Sequence, residues 1–228
     1  MGSHGERISH RGLVAAAGNP TVRNALTVAT KLMNRPESIT RIDRELAESC
    51  RVKQSFPPLL KRQMADLADR IARALKAGRT IYWLGNGGSA TDAMHLAAEL
   101  VGKLSRPRRA LSSVALSANP ATLTAIGNDF GFEEVFARQV EALVRRGDVV
   151  IGIPTSGNSM NVIRALRAAR KLKATTVGLT GQTGGKLARA AELVLKVPSL
   201  DTQRIQESHI TIGHIVCGLA EDILLDRL

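Results

Sequence analysis

The sequence is poor in cysteine. It has 2 cysteines among 228 residues, Cys50 and Cys217, and they lie far apart in the chain. A disulfide framework or a cysteine zinc knuckle needs several closely spaced cysteines, so the sequence predicts neither. Such low cysteine usage is typical of a reducing compartment, and we expect the protein to be cytoplasmic.

Long apolar segments are also absent from the sequence. No run approaches the roughly 20 apolar residues that a membrane-spanning helix requires, and the N-terminus lacks the apolar core of a secretory signal. We therefore expect no membrane contact and no export. With 228 residues, of which 44% are hydrophobic, the chain is long enough to bury one core, and one folded domain is predicted.

Aromatic residues make up only 3% of the chain, although the formal net charge is +12. Clustered Lys and Arg side chains bind nucleic-acid backbones, but a surface for single strands also needs aromatic rings between the basic residues. Here the basic residues are dispersed and the Phe residues do not alternate with them. No nucleic-acid partner is therefore predicted. The charge is interpreted as a solvated basic face, with attraction of small phosphorylated ligands as the alternative.

Composition divides the chain into an extension and a folded region. Residues 1–36 mix Gly, Ser, His, Arg and Asn with short apolar pieces, and we interpret them as an N-terminal extension that is a candidate for disorder. Residues 37–228 are interpreted as one domain. This domain begins with a helical pattern over 38–53 and a second helical pattern that stops at Gly78, separated by a break at Pro57 and Pro58.

After Gly78, strand patterns and helix patterns alternate. This order predicts an α/β fold, a three-layer sandwich in which helices cover both faces of a parallel sheet, as in flavodoxin-like and Rossmann-like folds. Such sheets bind ligands at the carboxyl ends of their strands, so the loops after Leu84 and Ile153 are the expected binding loops. The predicted strands are 79–84, 112–116, 148–153, 175–180 and 193–197, and the predicted helices are 89–104, 132–146, 159–173, 185–190 and 202–225.

Both expected binding loops carry small and hydroxyl-bearing residues. The first loop is G-N-G-G-S at residues 85–89, in which the glycines let the backbone approach a ligand and Ser89 is expected to cap the next helix. Its spacing is neither G-x-G-x-x-G nor a Walker A loop, which argues against dinucleotides and nucleoside triphosphates. The second loop, T-S-G-N-S at residues 155–159, places three hydroxyls before a helix. Together the loops favour a phosphate or sugar site, whereas each alone also fits an ordinary turn or helix cap.

Two predicted helices carry most of the candidate chemistry. His95 and Glu99 are four residues apart, so both side chains lie on one helix face and can reach one metal ion or one substrate; a structural hydrogen bond between them is the alternative. The last helix carries Glu207 and His209. It also carries Gln206 and His214, eight residues apart and therefore close enough in direction to face one cavity.

These residues resemble the phosphoheptose isomerase family, whose fold is the SIS (sugar isomerase) domain. The resemblance covers roughly residues 57–226. It rests on six motifs in the same order and spacing: G-N-G-G-S at 85–89, D-A-M-H-L-A-A-E-L at 92–100, N-D-F-G at 128–131, T-S-G-N-S at 155–159, L-T-G at 179–181 and R-I-Q-E-S-H at 204–209.

The resemblance implies roles for individual residues. Glu99 and His214 are the implied acid–base pair, and the family is homotetrameric with sites between subunits, so the two helices need not come from one chain. One zinc ion per site is implied. On spacing alone Glu207 could also be a zinc ligand, but the family pattern prefers Gln206. The implied zinc ligands are His95, Glu99, Gln206 and His214. The implied substrate-binding residues are Asn86, Gly87, Ser89, Asn128, Asp129, Thr155, Ser156, Ser159 and Gln206.

The function implied by the resemblance is conversion of sedoheptulose 7-phosphate to D-glycero-D-manno-heptose 7-phosphate through an enediol, in which a carboxylate and an imidazole move protons. The chain departs from the family at Pro154, where a serine is common, and at Gln203, where an acidic residue is common. One alternative is the same chemistry on another long-chain ketose phosphate, such as an octulose phosphate in antibiotic sugar synthesis. The other is a non-catalytic SIS-domain adapter, although such adapters lack residues equivalent to Glu99 and His214.

Overall fold

The computed structural model describes residues 36–226. The predicted N-terminal extension, residues 1–36, therefore lies outside the described residues except for Pro36, which is the first residue of helix α1. The chain divides into two compact units, residues 1–47 and 48–228. Of the first unit, the structure describes only residues 36–47, which form the beginning of α1.

The described chain alternates helices and strands in the predicted order. The helices are α1 (Pro36–Gln54), α2 (Pro58–Lys76), α3 (Gly88–Val101), α4 (Pro120–Phe130), α5 (Ala137–Leu143), α6 (Met160–Lys171) and α7 (Thr202–Leu224). Short 3-10 turns lie at Phe132–Glu134 and Lys186–Arg189. The strands are β1 (Ile81–Leu84), β2 (Ser113–Ala115), β3 (Val149–Gly152), β4 (Thr175–Thr180) and β5 (Leu193–Lys196).

The five strands form one parallel sheet in the order β2-β1-β3-β4-β5. The chain adds β2 on one side of β1 and then β3 on the other side, so the order of strand addition reverses between β1 and β3. In sheets of this order a crevice opens at that point, at the carboxyl ends of the strands. Leu84 pairs with Gly152 at that end, so the loops that follow these two residues leave the sheet side by side. The predicted α/β fold with a parallel sheet is confirmed.

The core has two parts, one on each face of the sheet. Ile81 and Trp83 of β1 point to the face covered by α2, α3 and α7, whereas Tyr82 and Leu84 point to the face covered by α5 and α6. Every residue of β1 is buried, as expected for a strand with helices on both sides. Because α3 and α7 share one layer, side chains from residues more than a hundred positions apart can meet there.

One helix was not predicted. Helix α4 buries none of its residues completely, so the apolar periodicity that reveals a core helix is weak. A local signal was nevertheless present, since Asn119 caps the helix by accepting a hydrogen bond from the Thr122 amide and Pro120 is its first residue. The single helix predicted over 132–146 was also wrong, because it consists of a 3-10 turn followed by the short helix α5.

No helix within residues 36–226 combines the length and the apolar character that crossing a membrane requires.

Candidate active site

Three side chains from α3 and α7 converge on one point. His95 Nε2 lies 2.8 Å from His214 Nε2 and 3.1 Å from Glu99 Oε1, and His214 Nε2 lies 3.9 Å from the same carboxylate oxygen. The two imidazole rings meet edge to face, with their centres 5.0 Å apart. Both helices belong to one chain, so a partner subunit is not needed to bring Glu99 and His214 together.

A small residue next to His214 lets the two helices approach closely. Gly213 faces Leu96, and a Cβ at position 213 would lie 2.5 Å from both terminal methyl carbons of that leucine. Leu96 is fully buried and is the neighbour of His95. His95 directly precedes Leu96, and His214 directly follows Gly213. The contact between Leu96 and Gly213 therefore places the two histidines beside each other.

The His95, Glu99 and His214 side chains form a possible metal site. In a tetrahedral zinc site with bonds of about 2.0–2.2 Å, neighbouring ligand atoms are about 3.3–3.5 Å apart. The three atoms here are separated by 2.8, 3.1 and 3.9 Å, which brackets that spacing. Two imidazole nitrogens that point at each other also favour a shared cation between them. The donor set and its geometry thus fit a divalent metal ion.

The carboxylate of Glu99 is more sheltered than the two imidazoles. Its side chain is 18% exposed, against 50% for His95 and 43% for His214. On the same helix, one turn before His95, the Asp92 Oδ2 atom is buried and has no hydrogen-bond partner within residues 36–226. Burial raises the pKa of the Asp92 carboxyl, and the nearby His95 opposes part of that rise. The acidic groups of α3 therefore lie in a partly desolvated environment.

Gln206 lies at the start of α7, against the first binding loop. A Cβ at Gly88 would lie 2.7 Å from Gln206 Nε2, so the amide of Gln206 packs directly on the Gly88 backbone. This close approach explains why position 88 is glycine, and it sets the amide on the side of the loop from which α3 begins.

We expect Gly88→Ala to impair the site without unfolding the protein. The added methyl group meets only the end of a flexible side chain, so Gln206 moves and the melting temperature changes little. Because Gln206 is predicted to bind both metal and substrate, the kcat/KM for isomerisation should fall about 10-fold or more. Steady-state kinetics and thermal unfolding test this. A variant with Gln206 displaced in its crystal structure and with wild-type kcat/KM contradicts the role of Gln206.

An amide pair joins the first binding loop to the first turn of α6, directly after the second loop. Asn86 and Asn161 donate to each other, from Asn86 Nδ2 to Asn161 Oδ1 at 3.0 Å and from Asn161 Nδ2 to Asn86 Oδ1 at 2.8 Å. The predicted ligand-binding group of Asn86 is therefore largely engaged, and one N–H and one lone pair of its amide remain for a ligand. Sequence reasoning missed Asn161. Its only signal is a polar residue at a buried position of α6.

The predicted cap of α3 was wrong. The cap position is Gly87, at φ 56°, and no side chain caps the helix. Ser89 is instead a buried residue inside the first turn, and its amide donates to the Asn86 carbonyl. A glycine is needed at position 87 because its positive φ is strained for other residues. The first turn of α3 therefore keeps amides that no side chain satisfies.

The second loop, residues 155–159, offers hydroxyls at the start of α6. Ser159 is the cap residue of that helix, yet its side chain makes no capping bond. Within residues 36–226 the Thr155 hydroxyl has no hydrogen-bond partner, and the Ser156 hydroxyl accepts only from the backbone N–H of Asn158. Gly157, at φ 69°, packs against the backbone of Gly184. The loop is thus held by backbone contacts while its hydroxyls are left for a ligand.

Asn128 and Asp129 are not brought to this cluster by the described chain. They lie at the end of α4, both exposed, and the Asn128 amide donates to the Asp129 carboxylate at 2.8 Å. Asp129 instead lines a separate, mainly apolar hollow of about 640 Å³ beside Phe130 and Arg138.

His209 is a structural residue rather than a member of the cluster. Its side chain is 1% exposed, and neither ring nitrogen has a hydrogen-bond partner of ordinary geometry in the described part of the chain. Burial lowers the pKa of His209 from 6.5 to about 4, with a smaller opposing effect from the Thr180 backbone. The ring is therefore neutral in the folded protein at neutral pH.

The depressed pKa of His209 predicts a loss of stability in acid. Between its unfolded pKa of 6.5 and its folded pKa of about 4, the unfolded chain binds the proton more readily. Stability from this residue is complete above the unfolded pKa and should fall by about 2 kcal/mol from about pH 8 to about pH 5. Denaturant unfolding at both pH values tests this. The matched variant His209→Leu should show a correspondingly shallower loss, and equal losses in both proteins contradict it.

Comparisons with known proteins show which family the chain resembles. A family model described as SIS domain matches residues 46–181. The phosphoheptose isomerase of Aquifex aeolicus is 53% identical over 191 residues, which span 84% of this chain and 98% of that protein. The solved phosphoheptose isomerase of Neisseria gonorrhoeae is 42% identical with a TM-score of 0.76, covering 80% of this chain and 98% of that one. The solved phosphoheptose isomerase of Francisella tularensis is 32% identical with a TM-score of 0.78, and the match covers 81% of this chain and 98% of that one.

Proposed function

The chain belongs to the phosphoheptose isomerase family of SIS-domain proteins, and we propose that it converts sedoheptulose 7-phosphate to D-glycero-D-manno-heptose 7-phosphate. It is thus a sugar-phosphate isomerase, and the reaction moves a carbonyl from C2 to C1 of an open-chain sugar. The observation that carries the proposal is the approach of the Glu99 carboxylate to the His214 imidazole, at 3.9 Å, from helices far apart in the chain.

Glu99 is the proposed base. Its Oε1 faces both imidazoles, which leaves Oε2 for the substrate. In the proposed reaction Glu99 takes a proton from C1 of the ketose and returns it to C2, with an enediol between the two steps. His214 moves the accompanying proton, which leaves the oxygen on C1 and arrives at the oxygen on C2. The products therefore balance without an external acid, base or oxidant.

Zn²⁺ is the proposed ion of the metal site. Its proposed ligands are the side chains of His95, Glu99 and His214, together with the amide oxygen of Gln206. These are nitrogen and oxygen ligands, which suit zinc. When bound, such an ion polarises a carbonyl as a Lewis acid. The residues of the chain then orient the sugar: the shelter around Glu99 excludes part of the water, and His95 directs Nε2 into the cluster.

The phosphate is proposed to bind at the second loop. Thr155, Ser156 and Ser159 present hydroxyls before the 12-residue helix α6, whose first amides carry partial positive charge. Asn86, Gly87 and Ser89 of the first loop are proposed to contact the sugar. The loops leave neighbouring strands, so one ligand can lie across both. Pro154 has no amide hydrogen, so this loop offers one donor fewer than a loop with serine there.

A homotetramer is the proposed assembly. The exposed pair Asn128 and Asp129 has no hydrogen bond to the cluster within one described chain, which supports a site completed by a neighbouring subunit. Light scattering coupled to size-exclusion chromatography tests the assembly. The cytoplasm is the proposed location, as the cysteine content predicts.

Product analysis with a series of ketose phosphates tests the function. The enzyme is incubated with C6, C7 and C8 ketose phosphates, with and without a chelator, and the products are resolved by mass and by NMR. We expect the C7 substrate to be converted fastest and the chelator to stop conversion. Faster turnover of the C8 compound identifies the other long-chain substrate class. A protein that binds zinc but converts none of the three supports the adapter alternative.

A further inference from the structure

A buried arginine outside the cluster contacts the backbone of Glu99. Arg108 follows α3 in a connecting segment, and its side chain is only 4% exposed. Its Nη2 donates to the Glu99 carbonyl at 2.8 Å, and its Nη1 donates to the Leu100 carbonyl at 2.9 Å and to the Gly102 carbonyl at 3.1 Å. The last carbonyls of a helix lack partners within it, so one guanidinium satisfies the C-terminal end of α3.

The same guanidinium is held by α7. Arg108 Nε donates to Glu221 Oε1 at 2.6 Å, and the Glu221 side chain is 1% exposed. Its other oxygen accepts from the amide and the hydroxyl of Ser105. Burial alone would raise the pKa of Glu221, but the hydrogen bonds from Ser105 and Arg108 outweigh it and hold this pKa below its ordinary value. The Glu221 carboxylate is therefore charged at neutral pH.

This contact links the two helices that build the cluster. Glu221 is seven residues after His214, about two turns further along the same face of α7. Arg108 bonds the carbonyl of Glu99 itself. We propose that the Arg108–Glu221 pair sets the position of Glu99 relative to His214, so that Arg108 and Glu221 are positioning residues for the isomerisation. The proposal deepens the proposed function and rests on it.

Stability alone does not account for the pair. Removing two charges from water is costly, and replacement of a buried ion pair by apolar residues of similar size is often neutral or stabilising. An apolar pair cannot, however, donate hydrogen bonds to the carbonyls of Glu99, Leu100 and Gly102. The planar guanidinium does so, and a lysine ammonium lacks the same fork of donors. The geometry of the contact therefore points to positioning.

The experiment separates positioning from folding. In Arg108→Met/Glu221→Leu both charges are removed together, so no unpaired charge stays buried, and we expect kcat to fall about 10- to 100-fold with KM changed by less than about threefold. The Co²⁺ or Zn²⁺ affinity of the metal-free protein, measured by titration, should fall by a similar factor. Arg108→Lys, which keeps the charge but not the fork, should give a smaller loss in the same direction.

A neighbouring ion pair provides the matched control. Arg106 lies in the same segment and approaches Asp222 of α7 at 3.7 Å, but it is half-exposed and bonds no α3 carbonyl. Arg106→Met should retain wild-type kcat and metal affinity. If the double variant and Arg108→Lys both fold and both keep wild-type kcat and metal affinity, the positioning role is overturned. The metal titration reports the position of Glu99 relative to His214 without any substrate. If the wild type does not convert sedoheptulose 7-phosphate, the proposed function is refuted, and the titration still tests the positioning role.

Discussion

Glu99→Gln lowers the kcat of isomerisation by about 10³- to 10⁴-fold, the largest effect that we expect from a single substitution. Glutamine keeps the shape of the side chain and an oxygen for the metal, but it cannot accept a proton from carbon near neutral pH. Sugar-phosphate binding should stay measurable by calorimetry, because the phosphate contacts lie in the two loops. Quenched time-point assays and steady-state assays with the C7 substrate measure the loss of kcat.

Glu207→Gln is the matched control for this prediction. It makes the same chemical change on α7, at a position that sequence spacing allowed as a metal ligand. In the structure Glu207 is held by Arg204 at 2.5 Å and lies 3.9 Å from Lys53, away from the cluster contacts. Its kcat should stay within about threefold of wild type. Near-normal turnover of Glu99→Gln, with turnover lost in Glu207→Gln, would falsify the assignment of the base.

His214→Gln should lower kcat by about 10²- to 10⁴-fold. The substitution removes the imidazole that approaches both His95 and Glu99, and with it the proposed mover of the oxygen-bound proton. Metal affinity should fall as well, because one of the ligands is changed. Kinetics at saturating Zn²⁺ separate the two effects, since excess metal compensates for weak binding but supplies no proton carrier.

His95→Gln gives the comparison that isolates the proton step. His95 is proposed as a ligand only, so excess Zn²⁺ should restore a large part of the activity of His95→Gln. The same excess should restore little in His214→Gln. If both variants recover equally, His214 acts through the metal alone and the proposed acid–base pair is wrong.

The sheet and its binding edge were predictable because they depend on patterns that are local in sequence. Strand β4 was predicted at residues 175–180 and has those bounds, since a run rich in β-branched residues between a basic helix end and a glycine turn favours a strand. The order of strands and helices then predicts a parallel sheet, and a parallel sheet predicts where its loops meet. Helical spacing likewise put His95 and Glu99 on one face.

The contacts between distant segments were not predictable from patterns. No local signal relates Asn86 to Asn161, Arg108 to the Glu99 carbonyl, or Leu96 to Gly213, because each contact depends on how helices pack after the sheet has formed. Ser89 shows a local rule that failed, since the positive φ of Gly87 moved the helix start. Helix α4 was missed for the opposite reason, because it contributes too little to the core to leave a periodic pattern.

The amide pair between Asn86 and Asn161 has a consequence for selectivity. It ties the first loop to the first turn of α6, directly after the second loop, so the proposed phosphate-binding hydroxyls and the proposed sugar-binding residues should keep a constant separation. Such a fixed separation should make the site selective for the length of the sugar's carbon chain. A shorter or longer ketose, anchored at its phosphate, brings the wrong carbon up to Glu99.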